Sequence, residues 1–380
     1  MAIVRIAYLS GSFIPSREAN SVHVMKMCSA FSGLGYEVLL IARGEERDIE
    51  LDFADYGVQT RFFLRKVRDQ RRTLSNRLFY PFLAAKTVQG IWQESDLLYA
   101  RHLPSLLVAL FTTPSKFIFE LHSPPGIVNL IVLKTLIKTR RFRGLVVISA
   151  SLKKRMLSLL GPKWDDSITV AHDGADSPPI ELAENAIESV RPGKAHGLRV
   201  GYVGHLYPGR GIEVVGELAR RMPEVEFNLV GGRESDISYW KNQFMELSNV
   251  IFHGHVRPAE VYQLQRRMDV LLAPYAEVLH HAGGAHNTAP WMSPMKIFEY
   301  MAAGRAIIAS DLPVLREVLC DGLNALLAPP GDIDSWVQAL RRLQDDSLRQ
   351  TLGAQAATML VENYTWTKRA QRVLGTSSPR

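Results

Sequence analysis

Short apolar runs alternate with longer amphipathic stretches along most of the chain, and this alternation sets the predicted elements. Val4 to Ser10 reads as a strand ending in a Gly-Ser loop. Residues 21–34 then place Val24, Met27, Cys28, Phe31 and Leu34 at helical spacing, and Gly35 stops the helix before the strand EVLLIA. That is one β-α-β unit, which implies parallel strands and a right-handed crossover. VQTRFFL, DLLYA, KFIFELH, GLVVIS and SITVAH read as further strands, with helices around 74–92, 104–112, 127–141 and 150–160. Short, continuous apolar runs of this kind suit parallel strands buried on both faces. Between Ser177 and Gly197 the text turns polar and Pro-bearing, as a linker does. The alternation then resumes with LRVGYVG, a helix near 211–221, VEFNLVG, a helix near 236–246, NVIFHG, a helix near 258–266, DVLLAPY and NALLAP, with helices to about 374. The expected fold class is α/β, with two doubly wound Rossmann-like domains. An N-terminal domain over 1–176, a linker at 177–197 and a C-terminal domain over 198–360 are predicted, with ligands beyond the carboxyl ends of the strands.

Composition fits a soluble two-domain enzyme. The chain has 380 residues, 47% of them hydrophobic and 22% charged. No apolar run approaches the roughly 20 residues of a spanning helix, and the first residues enter a strand pattern without a signal-peptide layout, so a cytoplasmic location is expected. Two cysteines, Cys28 and Cys320, give no disulfide framework. The net charge of +7 is uneven: Arg61 to Arg155 holds 18 Lys and Arg against 4 Asp and Glu. Such a basic half suits an anionic partner, either a lipid surface with peripheral contact at the inner face of a membrane or a phosphorylated acceptor, or else is a solvated basic face. No segment matches a nucleic-acid module, and no nucleic-acid partner is expected.

The most informative stretch is SPMKIFEYMAAGRAIIASD, Ser293 to Asp311. Ser293 suits an N-cap and Pro294 the first helical position, so a helix is predicted whose unpaired N–H groups face the preceding loop. Such a tip attracts phosphate, and Lys296 and Glu299, three apart, share one helix face. A nucleotide-sugar fits, with its diphosphate at the helix tip beside Met295 and Lys296 and its ribose diol on Glu299. A capped core helix with Lys296 and Glu299 facing water fits the same letters.

Other strand-end loops carry candidate chemistry. Gly11 closes the first strand, and Gly204 to Gly211 reads GHLYPGRG, in which glycines admit a ligand and Arg210 offers a forked phosphate clamp. The GK[ST] ending of a P-loop and a first-turn GxGxxG are both missing, which argues against nicotinamide or flavin chemistry. Gly231–Gly232 follows NLV and suits a phosphate, a base or an ordinary turn; Gly254 to Val256 offers backbone groups to a base edge. In the first half, His122 ends KFIFELH beside a Ser-Pro-Pro-Gly loop, where it can bind a sugar hydroxyl or simply satisfy loop backbone. The loop over 276–292 holds His280, His281, Gly283, Gly284 and His286, but with no Cys partner and no HExxH pattern no metal site is expected.

Taken together, SPMKIFEYMAAGRAIIASDLPVLREVL (293–319), DGLNALLAPPGD (321–332), FELHSP (119–124), VVISASLKKRML (146–157) and YVGHLYPGRGIEVV (202–215) resemble the GT-B-fold retaining glycosyltransferases of family 4, the glycosyl transferases group 1. The resemblance implies two domains facing each other across a cleft, transfer of a sugar from a nucleotide diphosphate with retention, no metal or other cofactor, and a C-terminal segment over 361–380 crossing back to the first domain. It implies that Glu299 is the second glutamate of an E-x7-E motif and holds ribose, while Trp291 replaces the first. Arg210 aligns with the family's phosphate-binding lysine, and His205 stands where an arginine commonly binds pyrophosphate. His122 matches the histidine near the donor sugar. Gly11, Gly204, Gly232, Gly254, Val256, Gly284, Ser293 and Met295 join the donor-binding set. A nucleotide-sugar epimerase and a non-catalytic donor-binding subunit share the same architecture.

Overall fold

The computed structural model describes residues 5–67, 74–91, 97–178, 197–256, 258–279 and 287–375. Two compact units form, one from Met1–His172 with Trp366–Arg380 and the other from Asp173–Thr365. The expected linker overlaps residues 179–196, which lie outside the described residues. Both units are parallel α/β sheets.

The first unit carries β1 (Arg5–Phe13), α1 (Ala19–Gly33), β2 (Glu37–Arg43), α2 (Ile49–Asp55), β3 (Phe63–Val67), α3 (Leu74–Ile91) and β4 (Leu97–Ala100). It continues through α4 (Leu103–Thr112), β5 (Lys116–Leu121), α5 (Ile127–Leu136), β6 (Phe142–Val147), α6 (Ala150–Leu160) and β7 (Ile168–Val170). The seven strands run in the order β3-β2-β1-β4-β5-β6-β7. Strands β1 to β3 step one way and β3 to β7 the other, so right-handed crossovers put α1 and α2 on one face and α3 to α6 on the opposite one. The last helix, α13 (Trp366–Gly375), packs on α1.

The second unit carries β8 (Arg199–Val203), α7 (Ile212–Arg221), β9 (Glu226–Val230), α8 (Glu234–Gln243), β10 (Val250–Gly254), α9 (Pro258–Arg267) and β11 (Val270–Ala273). After these come α10 (Met295–Ala303), β12 (Ala306–Ser310), β13 (Leu326–Ala328), α11 (Ile333–Arg342) and α12 (Asp346–Asn363). The sheet order is β10-β9-β8-β11-β12-β13, which reverses direction between β8 and β11. Alternate strand residues feed two cores: Val270, Leu272 and Ile308 meet Trp336 and Leu340 on one face, while Leu271, Ala273 and Ile307 meet Phe298 and Met301 on the other. Each such large side chain, fully buried, contributes about 1.5–3 kcal/mol. Apolar burial on both faces is what makes these strands read as continuous apolar runs.

Several sequence expectations need correction. β1 runs on to Phe13, so Gly11 lies within the strand and not in a loop; a Cβ there would meet the His102 ring at 3.0 Å. The third strand begins at Phe63, later than VQTRFFL suggested. α2 was unforeseen because IELDF alternates apolar and acidic residues, without helical spacing; it forms because Asp48 caps Glu50 N–H and buried Asp52 bonds Arg47 at 2.6 Å and Lys66 at 2.7 Å. The helix expected over 127–141 stops at Leu136, where Thr139 Oγ1 donates to the Leu136 carbonyl. Ser293 is not an N-cap: its hydroxyl accepts the Asp173 N–H at 2.7 Å, and extended Pro294 caps α10 without a side-chain bond.

Candidate functional site

In the second unit the predicted cations converge where β8 gives way to α7 and where α10 begins, at the reversal of strand order that suits ligands in such sheets. Lys296 sits in the first turn of α10, its Nζ buried 3.6 Å above the centre of the Tyr202 ring and 5.3 Å from that of Tyr275. Its amine lies against backbone: a Cβ on Gly204 would stand 3.1 Å from both Cε and Nζ, and Gly204 has φ +144°, a conformation glycine tolerates. The Arg210 guanidinium bonds the Tyr207 hydroxyl and lies 4.7 Å from the Tyr207 ring centre and 5.7 Å from that of Tyr275. Tyr275 thus joins the two cations through its faces. Among the described residues, Lys296 Nζ and Arg210 Nε are buried donors with no hydrogen-bond acceptor.

Electrostatics say what such a site lacks. Burial, then Arg210, holds the Lys296 ammonium well below its ordinary pKa, while Glu299 acts in the opposite direction. His205, its ring 5.4 Å from that of Tyr207, is also pushed down by burial, Arg210 and Lys296. Unmatched donors, with Arg210 holding Lys296 down and both holding His205 down, are what an anion would relieve. Lys296 therefore does not face water as a solvated helix lysine would. Nearby glycines bring backbone close: a Cβ on Gly231 would lie 2.4 Å from the Gly204 carbonyl oxygen, and one on Gly232 2.6 Å from Leu206. Gly254, at φ +68°, has open space beside it and accepts the Gly231 N–H at 2.7 Å, with Val256 half-buried beyond. Met295 and Glu299 are half-buried on α10, and Trp291 is half-buried in the turn Ala289–Trp291. Gly284 and its histidine-bearing loop lie outside the described residues. A pocket of about 420 Å³ lined by Gly209, Gly211, Glu213, Tyr275, Ser310 and Trp336 adjoins the Arg210 loop.

In the first unit, alternation along β5 points Glu120 and His122 the same way. Glu120 is 1% exposed and collects donors from four directions. Its Oε1 lies 2.5 Å from His122 Nε2, 3.0 Å from His23 Nε2 and 3.1 Å from Arg369 Nη2; its Oε2 accepts the Tyr99 hydroxyl and lies 3.3 Å from Arg369 Nη1. Burial alone would raise the carboxyl, but Arg369, His23 and the His122 bond together hold it well below the carboxylate range. Because the carboxylate accepts, His122 Nε2 is the protonated ring nitrogen and Nδ1 keeps its lone pair. Burial and the neighbouring Arg101 push His122 down to about 4, so the ring is neutral at pH 7. His23, Glu120 and His122 place their ligand atoms within 4.8 Å of one another, a grouping the sequence did not show. The Arg369 guanidinium contacts both oxygens of this carboxylate.

Sequence reading missed His23, Tyr99 and Arg369, and also the Tyr202, Tyr207 and Tyr275 faces. Of these, only Tyr207 carried a local signal, three residues before Arg210 in the same loop.

The fold is GT-B, as in the solved structures that match it. Solved structures of the same fold cover nearly the whole chain. Anabaena HepE in complex with UDP-glucose matches with a TM-score of 0.70 at 16% identity, covering 98% of both chains. The lipopolysaccharide outer core galactosyltransferase WaaB matches with a TM-score of 0.66 at 15% identity, covering 98% of this chain and 99% of that one. Residues 197–346 match the family model for glycosyl transferases group 1. The phosphatidyl-myo-inositol mannosyltransferase of Mycolicibacterium smegmatis is 35% identical over 153 residues, 40% of this chain and 36% of the relative. The D-inositol 3-phosphate glycosyltransferase of Paenarthrobacter aurescens is 25% identical over 218 residues, 54% of this chain and 50% of the relative. The chain thus spans between about a third and a half of the length of these curated relatives.

Proposed function

We propose that the chain is a retaining glycosyltransferase that moves a sugar from a nucleotide-diphosphate donor to an acceptor hydroxyl. The observation that carries this is the pair of buried, unmatched donors, Arg210 Nε and Lys296 Nζ, gathered around Tyr202 and Tyr275 beside the start of α10. Cleaving the bond between sugar and diphosphate builds negative charge on the leaving phosphate, and preorganised cations stabilise it without reorganising during the reaction. Glu299 accepts the ribose hydroxyls, and the glycines at the ends of β8, β9 and β10 admit the base and phosphates. His122, neutral and held by Glu120, offers Nδ1 to a hydroxyl as acceptor. In this reading the two cations neutralise the leaving group and no metal ion is needed. The family match and the names of the relatives, mannosyl- and inositol glycosyltransferases, support the class of reaction and make a lipid-borne or inositol-like acceptor the first to test.

The test is titration of nucleoside diphosphates and their sugars against the wild type, Arg210→Ala and Lys296→Ala. Each variant should lose about 10²-fold in transfer rate, the scale of one removed charge-stabilising donor. Near-normal turnover in both would remove the assignment.

A further inference from the structure

The helical layer α3 to α6 of the first unit has an unusual surface. Not one Asp or Glu occurs in these four helices. Among the described side chains, their exposed charges, Lys86, Lys134, Lys154 and Arg155, are all positive. The same layer leaves large apolar side chains in the open: Phe79 and Phe82 on α3 are 59% and 60% exposed, and Ile127, Val128 and Ile131 on α5 are 80%, 73% and 61% exposed. Ile127, Ile131 and Lys134 fall at i, i+4 and i+7, so α5 presents one stripe that is apolar at its start and cationic at its end. Phe79 and Phe82, three apart, share a face of α3.

We propose that this layer docks on an anionic lipid bilayer, with the first turns of α5 entering the headgroup boundary and the lysines and arginine meeting lipid phosphates. A protein-binding patch has a polar rim; here the exposed charges on the four helices are of one sign, with Asp165 beside α6 paired to Lys153, which calls for a partner that is anionic at its surface and apolar just beneath. α5 begins five residues after His122, so docking would bring a lipid-borne acceptor toward that residue. No described helix is long and apolar enough to cross a membrane, so the contact is peripheral. The inference rests on the transferase reading only for its acceptor; flotation needs no turnover, so failure of docking and failure of the transfer assignment are told apart.

The experiment is vesicle flotation of the full chain with phosphatidylcholine alone and with phosphatidylcholine plus phosphatidylglycerol. The wild type should float with the mixed vesicles and not with the neutral ones, less so as salt rises. Ile127→Ser with Ile131→Ser, and separately Lys134→Glu with Lys154→Glu, should each lower the bound fraction at least about 10-fold. Far-UV circular dichroism confirms that these exposed substitutions leave the fold intact. Equal recovery on both vesicle types, or unchanged flotation of both variants, overturns the proposal. So does a wild-type dimer in light scattering that Ile127→Ser with Ile131→Ser dissolves, since the face would then belong to a second copy.

Discussion

Arg369→Met tests whether the buried Glu120 network is a true charge pair. Arg369 is 1% exposed; besides its two contacts to Glu120 it donates to the His172 carbonyl at 2.9 Å, all within the first unit. Methionine fills much of the same volume but leaves the carboxylate with its main cationic partner gone, and removing one member of a buried pair costs about 3–5 kcal/mol. At roughly 2–4 °C per kcal/mol for a unit of this size, the melting transition of the first unit should fall by about 6–20 °C near pH 7.5. The sign of the pH effect separates charge from packing. In the wild type Glu120 is held low, so its stabilisation is present above the ordinary carboxylate pKa and is lost as pH falls through the depressed value. In the variant, burial dominates and the folded-state pKa lies above the unfolded one, so protonation favours the folded state and the deficit shrinks toward pH 5. Glu120→Gln combined with Arg369→Met should recover part of the loss, because no ion is then stranded. Thermal melts of all four proteins at both pH values decide it. A deficit below about 1 kcal/mol, or one that is the same at the two pH values, refutes the reasoning.

Three further outcomes are expected. A bound nucleoside diphosphate counters the burial and the Arg210 charge that hold the Lys296 ammonium down, so its amine should titrate higher in the complex than in the free protein when followed by lysine NMR, and an unchanged titration would contradict the site. Histidine NMR should show His122 titrating near 4 with the proton on Nε2; a charged ring at pH 7 contradicts the network as described. Gly211→Ala should unfold or strongly destabilise the second unit, since its Cβ would stand 1.7 Å from the Pro274 carbonyl oxygen at φ +79°, and a normal melt would show that the loop has another conformation.

What could be read from the letters follows the range over which each contact acts. Elements were legible because parallel strands buried on two faces must be apolar at every position, and because Gly35 and Gly304 end their helices locally. α2 was not legible because its apolar and acidic residues alternate without helical spacing and Asp52 is held by Arg47 and Lys66. Ser293 misled for a similar reason. Its residue type suits a cap, but the nearest donor that claims its hydroxyl is Asp173, 120 residues away in sequence.

The same distinction runs through the candidate site. Lys296 and Glu299 lie one helical turn apart and Arg210 follows a glycine-rich loop, so their chemistry was visible as local pattern. The tyrosine faces that make the lysine an unhydrated cation come from β8 and the end of β11, and no spacing rule links them. Glu120 and His122 share a strand face by simple alternation, yet what fixes the state of that pair is an arginine 249 residues further on, in a helix whose own pattern shows only amphipathicity. Residue type and spacing therefore indicate which groups could act. Whether a group is charged, neutral or poised for an anion depends on partners that only the tertiary fold supplies, which is why the decisive experiments here measure protonation and charge compensation as well as turnover.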